Sequence, residues 1–153
     1  MSKELIMFIT GIVGTVGFSI LFGVRPKHLF FATVGGVIAC GCSILSASLG
    51  AFAASAIAAF AATLYAELVS RARKAPVVTF LTPSLIVLVP GGSLYYTVAN
   101  IISKNYSAAN EYGLTTLDTC LGIAAGILAA SLCVTAVLTV VKRSKDKKAS
   151  KTN

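Results

Sequence analysis

From Leu29 to Ala66 no residue carries a charge. As one continuous helix, the apolar run Leu29–Val69 would be about 60 Å long at 1.5 Å per residue, twice the hydrocarbon thickness of a bilayer. The run must therefore turn, and Ser46–Gly50 is its most polar and flexible stretch. The rest of the chain fits this picture. Of 153 residues, 56% are hydrophobic and only 12% charged, about half the charge that covers a soluble domain. The same shortage excludes a disordered chain, which is charged and poor in aliphatics. Cys40, Cys42, Cys120 and Cys133 lie inside apolar runs, which argues against a disulfide framework. A polytopic membrane protein remains.

Five helical spans are expected in a domain covering 1–141: about 5–24, 29–49, 51–69, 77–103 and 117–141. The first ends at the turn Arg25-Pro26-Lys27-His28, and the third at Arg71, Arg73, Lys74 and Pro76. A polar stretch from Lys104 to Thr116 precedes the fifth. The basic tail 142–153 is expected to be disordered. Charge placement tests the count independently. With five spans, both basic turns and the tail share one side, leaving only Lys3 and Lys104 of the 13 basic residues opposite. The positive-inside rule then places the N-terminus outside and the C-terminus in the cytoplasm of a plasma (inner) membrane protein. The first span reads as retained, because its apolar run exceeds a signal-peptide core and no small-x-small site precedes the basic turn.

Lipid gives helices no hydrophobic reason to associate, so small residues that let backbones approach must do so. Gly122, Gly126 and Ala130 form such a face on the fifth span, and Ala54, Ala58, Ala62 and Ala66 form one on the third. These faces suit packing within the chain or against another copy.

The fourth span carries the strongest functional signal, Thr82-Pro83-Ser84 followed by Val89-Pro90-Gly91-Gly92-Ser93. Proline removes a backbone donor, and paired glycines loosen the backbone. The expectation is a helix broken at Pro83 and at Pro90-Gly91-Gly92, with the two breaks bracketing the bilayer midplane. Interrupted helices of this kind form the binding sites of secondary transporters, where half-helix N-termini face anionic groups. On that reading the N–H groups of Gly91, Gly92 and Ser93 face a substrate carboxylate. Carbonyls of Val87–Val89 and the hydroxyls of Ser84 and Ser93 take a cationic or hydroxyl group, and Tyr96 and Asn100 line the path. The bland alternative is a proline-kinked helix whose freed carbonyls are satisfied by its neighbours.

Ionisable groups are scarce. Glu67 precedes Arg71 by four residues, the favourable order for a helix-surface pair, with a proton-carrying carboxylate as the alternative. Asp118 stands where the fifth span begins and suits an N-cap. His28 has no partner for metal or catalytic work, and Cys40-Gly-Cys42 lacks zinc-site spacing. No metal, cofactor or enzymatic motif is read, so the chain is not expected to be an enzyme. The basic residues flank span ends, which suits anionic lipid rather than nucleic acid.

Three stretches together resemble the threonine/serine exporter family: Val16-Gly17-Phe18-Ser19-Ile20-Leu21-Phe22-Gly23-Val24-Arg25-Pro26, the small-residue third span through Glu67 to Pro76, and Thr82-Pro83 through Pro90-Gly91-Gly92-Ser93 to Tyr95-Tyr96. In particular the chain resembles the small C-terminal-half subunit of the split, two-component type. That resemblance implies a larger N-terminal-half partner subunit and export of threonine/serine or a dicarboxylate such as succinate. It also implies that the partner supplies the ionisable coupling residues. The alternative reading is a non-transporting scaffold or a homo-oligomeric pore assembled through the small-residue faces.

Overall fold

The computed structural model describes residues 3–149, with side chains described for 5–140. All regular structure among them is helical: α1 (Lys3–Leu21), α2 (Pro26–Leu45), α3 (Ala51–Arg73), α4 (Val78–Ile86), α5 (Gly91–Ile102) and α6 (Tyr106–Ala149), with a single 3-10 turn at Ala47–Leu49. Three helices are long and apolar enough to cross a membrane, and α4 with α5 makes a fourth candidate bent by 49°. Leu5–Leu21 is a shorter apolar helix, of marginal length for the first of the five expected spans.

Local chemistry sets the boundaries. Pro26 opens α2 at a position where its missing N–H has no intrahelical partner anyway. Between α2 and α3 the chain turns through Gly50, at φ +91°, a conformation that suits glycine alone. Helices α1, α3 and α5 end in one shared way. A residue at positive φ (Gly23, Lys74 or Lys104) lets the next N–H reach back five residues, as Val24 to Ser19 O at 3.0 Å, Ala75 to Ser70 O at 3.1 Å and Asn105 to Asn100 O at 2.9 Å.

The core is built almost entirely of small side chains. Ala32, Ala39, Ala58, Ala59, Ala62 and Ala66 are fully buried, and Phe80 is the largest buried side chain. Buried hydroxyls are satisfied along their own helices: Thr15 donates to Gly11 O at 2.8 Å, and Thr63 to Ala59 O at 2.7 Å. On α6, Gly122 lies against Phe52, Ser55 and Ala56 of α3, and Gly126 lies against Ala56, Ala59 and Phe60. Numbers rise together along both helices, so α3 and α6 run parallel. Likewise Phe80 meets His28, and Ser84 meets Gly35, so α4 runs parallel to α2. The chain from α3 to α6 therefore returns once, through α4 and α5, and the N-terminal end of α1 and the C-terminal end of α6 lie at opposite ends of the bundle.

Two boundaries differ from the sequence expectation. Helix α6 starts at Tyr106 instead of near Leu117, because the polar stretch 104–116 forms its first turns and packs on α5. Asp118 is consequently an exposed residue well inside α6 and caps nothing. The cap is Asn105, whose carbonyl accepts from Ala109 N at 3.0 Å and whose side chain accepts from Ala108 N at 3.4 Å. The backbone of α6 continues as helix to Ala149, past Lys142 where disorder was expected. Residues 150–153 of the tail lie outside the described residues.

Candidate functional site: the interrupted fourth pass

Helix α4 does not break at Pro83. It runs through that residue to Ile86, since proline at this point deletes only one intrahelical bond and α4 is held by its packing on α2. Ser84 is fully buried there, donating to Phe80 O at 2.7 Å against the close approach of Gly35. Its hydroxyl therefore serves the α2–α4 contact and does not face the break.

The interruption is confined to residues 87–90. The last turn tightens, with Leu88 N on Leu85 O at 2.9 Å and Val89 N on Ile86 O at 3.3 Å. Pro90, at φ −78° and ψ 55°, then makes an inverse γ-turn in which Gly91 N donates to Val89 O at 2.8 Å. Helix α5 restarts with Leu94 N on Pro90 O at 3.0 Å. Among the described residues no carbonyl takes the N–H of Gly92 or Ser93, and no backbone N–H reaches the carbonyls of Val87 or Leu88. The free donors are thus Gly92 and Ser93, without Gly91, at the positive end of α5.

Leu88 is buried among Ala39, Ala58, Ala59 and Ala62 and anchors the break to α2 and α3. Beyond it the site is open: Gly91 and Gly92 are exposed, and an added Cβ at either would meet no atom within 4 Å. Tyr96 is half exposed, its ring centroid 5.3 Å from that of Tyr112 on α6. Asn100 turns back on its own helix, its Nδ2 donating to Tyr96 O at 2.8 Å. Helix α5 contacts no helix except α6, and none of its residues is buried.

The break also sits nearer one end of the bundle than its halfway position expected from the sequence. Leu88 shares a cleft with Ser43, Ala47 and Gly50 of the α2–α3 turn region, because α4 alone, at nine residues, is only about 14 Å long. A groove of about 360 Å³ joins Ile86, Val87 and Leu88 to Thr10, Gly11 and Ser43 of α1 and α2. Thr10 and Ser43 were not singled out from the sequence. The sequence signal that could have found this wall is Gly11, whose missing side chain lets Cys40 of α2 come close.

Glu67 pairs with Arg71 at 3.0 Å, the only ion pair among the described residues. The small-residue faces are spent within the chain: Gly122, Gly126 and Ala130 are buried on α6, and Ala54, Ala58, Ala62 and Ala66 on α3. All four cysteines are free, and no cluster of metal-ligating side chains exists among the described residues.

A bundle of apolar passes, one of them interrupted with uncommitted peptide groups, is the architecture of a polytopic helical membrane protein of the transporter class. Residues 7–133 match the family model described as Threonine/Serine exporter, ThrE, and the chain belongs to that family. It is a membrane transporter of the threonine/serine exporter type. No curated protein and no solved structure matches it.

Proposed function

We propose that this chain is the smaller half of a two-chain exporter of small carboxylate-bearing metabolites, threonine/serine or a dicarboxylate such as succinate. The observation that carries the reading is the half-built state of the interrupted pass. Two peptide N–H groups at the start of α5 are uncommitted, a Cβ added at Gly91 or Gly92 meets only open space, and α5 leans on α6 alone. A binding site needs walls, and α5 exposes Leu94, Tyr95, Val98 and Ile102, an apolar surface for a second half to cover. In this reading Gly92 and Ser93 hold the substrate carboxylate, Pro90 aims them, and Tyr96 and Asn100 border the path. Glu67 is engaged by Arg71, so the partner brings the coupling groups. The basic turns face the cytoplasm, where anionic lipid attracts them.

The scaffold or self-assembled pore has less support, because the faces that would join copies already join α3 to α6. Efflux of radiolabelled threonine and succinate, measured with each half expressed alone and with both together, tests the proposal. Export only with both halves is the expected result. Equal efflux from this chain alone would remove the partner, and no efflux of either solute from the pair would remove the substrate class.

A further inference from the structure

At the end of the bundle opposite the break, the turn after α1 and the turn after α3 converge on the start of α4. They enclose a cavity of about 580 Å³ lined by Arg25, Lys27, His28, Lys74, Thr79 and Thr82, with no acidic residue in its wall. That volume is in the range of small-ligand sites. The neighbouring cations Arg71 and Arg73 are already engaged, one by Glu67 and the other over the ring of Phe31 at 3.9 Å. Arg25, Lys27 and Lys74 have no carboxylate partner among the described residues.

Three further groups agree in chemistry. His28 is 7% exposed, packs edge-on against Phe80, and its Nδ1 is buried without a hydrogen-bond partner. A buried polar atom left unpaired is costly and calls for an explanation. The N–H groups of Val77 and Val78 at the start of α4 have no carbonyl acceptor among the described residues, and a helix N-terminus favours negative charge. Among the described residues the Thr79 and Thr82 hydroxyls find no partner, whereas Thr10, Thr15, Thr33 and Thr63 each donate back to their own helix.

We propose that this cavity is a binding site for an oxyanion, a phosphate or carboxylate group held by Arg25, Lys27 and Lys74, with the α4 N-terminus as a neutral donor and the buried His28 Nδ1 brought onto the group by a turn of its ring. Such a group reaches the site either on a soluble solute or on the headgroup of an anionic lipid. The site is separate from the α4–α5 break, and its binding is measured without transport, so it stands or falls independently of the export reading.

The test uses the full chain. Thermal stability is followed in neutral detergent with inorganic phosphate against chloride of equal ionic strength, and in phosphatidylcholine nanodiscs with and without phosphatidylglycerol. Saturable stabilisation beyond chloride is expected. A response to phosphate in detergent identifies a soluble ligand, and a response to phosphatidylglycerol alone identifies a lipid headgroup. Lys74→Asn, which keeps a residue tolerant of positive φ, weakens half-saturation about tenfold, the scale of one charge-assisted contact. Lys104→Asn is the matched control, since Lys104 also has positive φ, at 58°, and lies at the other end of the bundle. His28→Phe keeps the ring against Phe80, leaves the unliganded melting temperature unchanged or higher, and loses most of the ligand response. Stabilisation no greater than with chloride overturns the proposal. So does equal weakening by Lys104→Asn, or a His28→Phe chain that responds like the unaltered one.

Discussion

A methyl group added at Gly126 and one added at Gly92 meet opposite surroundings. At Gly126 it collides with the carbonyl oxygen of Ala56 and stands 2.9 Å from the Phe60 nitrogen, both backbone atoms that cannot rotate away. Gly126→Leu is therefore expected to pry α6 from α3, lowering stability by about 1–3 kcal/mol or preventing folding; a detergent melting curve shows it. At Gly92 the added group meets nothing within 4 Å. Gly92→Leu should leave the melting curve unchanged within about 0.5 kcal/mol while reducing export by the assembled pair, since it screens the free N–H groups. Unchanged efflux would remove the α5 N-terminus from the substrate path. The sequence displayed both glycines as members of small-residue or flexible stretches. What separates them is the chain that lies opposite, and neither residue's own neighbours in sequence reveal that. Ser84 was misassigned for the same reason: Gly35, which approaches it, is remote in sequence.

At the scale of elements, the interruption of the fourth pass was legible because Pro90-Gly91-Gly92 conflicts with any continuous helix. Pro83 was overread, since a single proline deletes one bond and tertiary packing of α4 on α2 outweighs that loss. The polar stretch 104–116 was expected only to precede the fifth span, whereas its residues from Tyr106 on form the first turns of α6, because polar composition alone does not distinguish an exposed helix from a connection. An exposed helix tolerates Asn110, Glu111 and Thr115 on its surface without difficulty, and Asn105 supplies the start. Two expectations follow at this scale. Lys104 ends α5 in the left-handed region, which costs a side-chain-bearing residue about 1 kcal/mol or more. Lys104→Gly should accordingly raise the melting temperature, and Asn105→Ala should lower it slightly, for a stability loss of at most about 1 kcal/mol given its long 3.4 Å cap bond. The second concerns the bend. Pro90→Ala restores an N–H that Ile86 O accepts in a continuous helix, and should straighten the 49° angle. Spin labels at Val78 and Ile102 would then move apart toward about 36 Å, the length of an unbroken helix between them. A distance distribution unchanged from the unsubstituted chain would assign the bend to Gly91 and Gly92 or to the anchoring of Leu88.

For the whole molecule, the informative quantity is the direction of each pass. Charge placement suggests an odd number of crossings because a bilayer excludes unpaired charge, so the basic turns must leave it on one side. The contacts reach oddness by a separate route: α3 and α6 are parallel, α4 follows α2, and α1 opposes α2 through Gly11 on Cys40 and Gly36 on Thr15. Neither argument depends on the exact limits of any span, which is why this level of organisation was readable while the depth of the break was not. Depth depends on where α5 goes after the chain leaves Leu88, and α6, at 44 residues and about 66 Å, is far longer than a bilayer requires. The two arguments together make a labelling prediction. In a chain with its four cysteines replaced, Ser48→Cys in the α2–α3 turn and Ala72→Cys at the end of α3 are both exposed positions at opposite ends of the bundle. An impermeant thiol reagent added to intact cells should modify position 48, and should modify position 72 only after the membrane is opened. The reverse pattern would keep the bundle and invert it, placing the basic cavity outside and the break toward the cytoplasm. Modification of both positions from outside would mean that α3 does not cross. Because α6 lies parallel along α3, that result would withdraw it from the membrane as well.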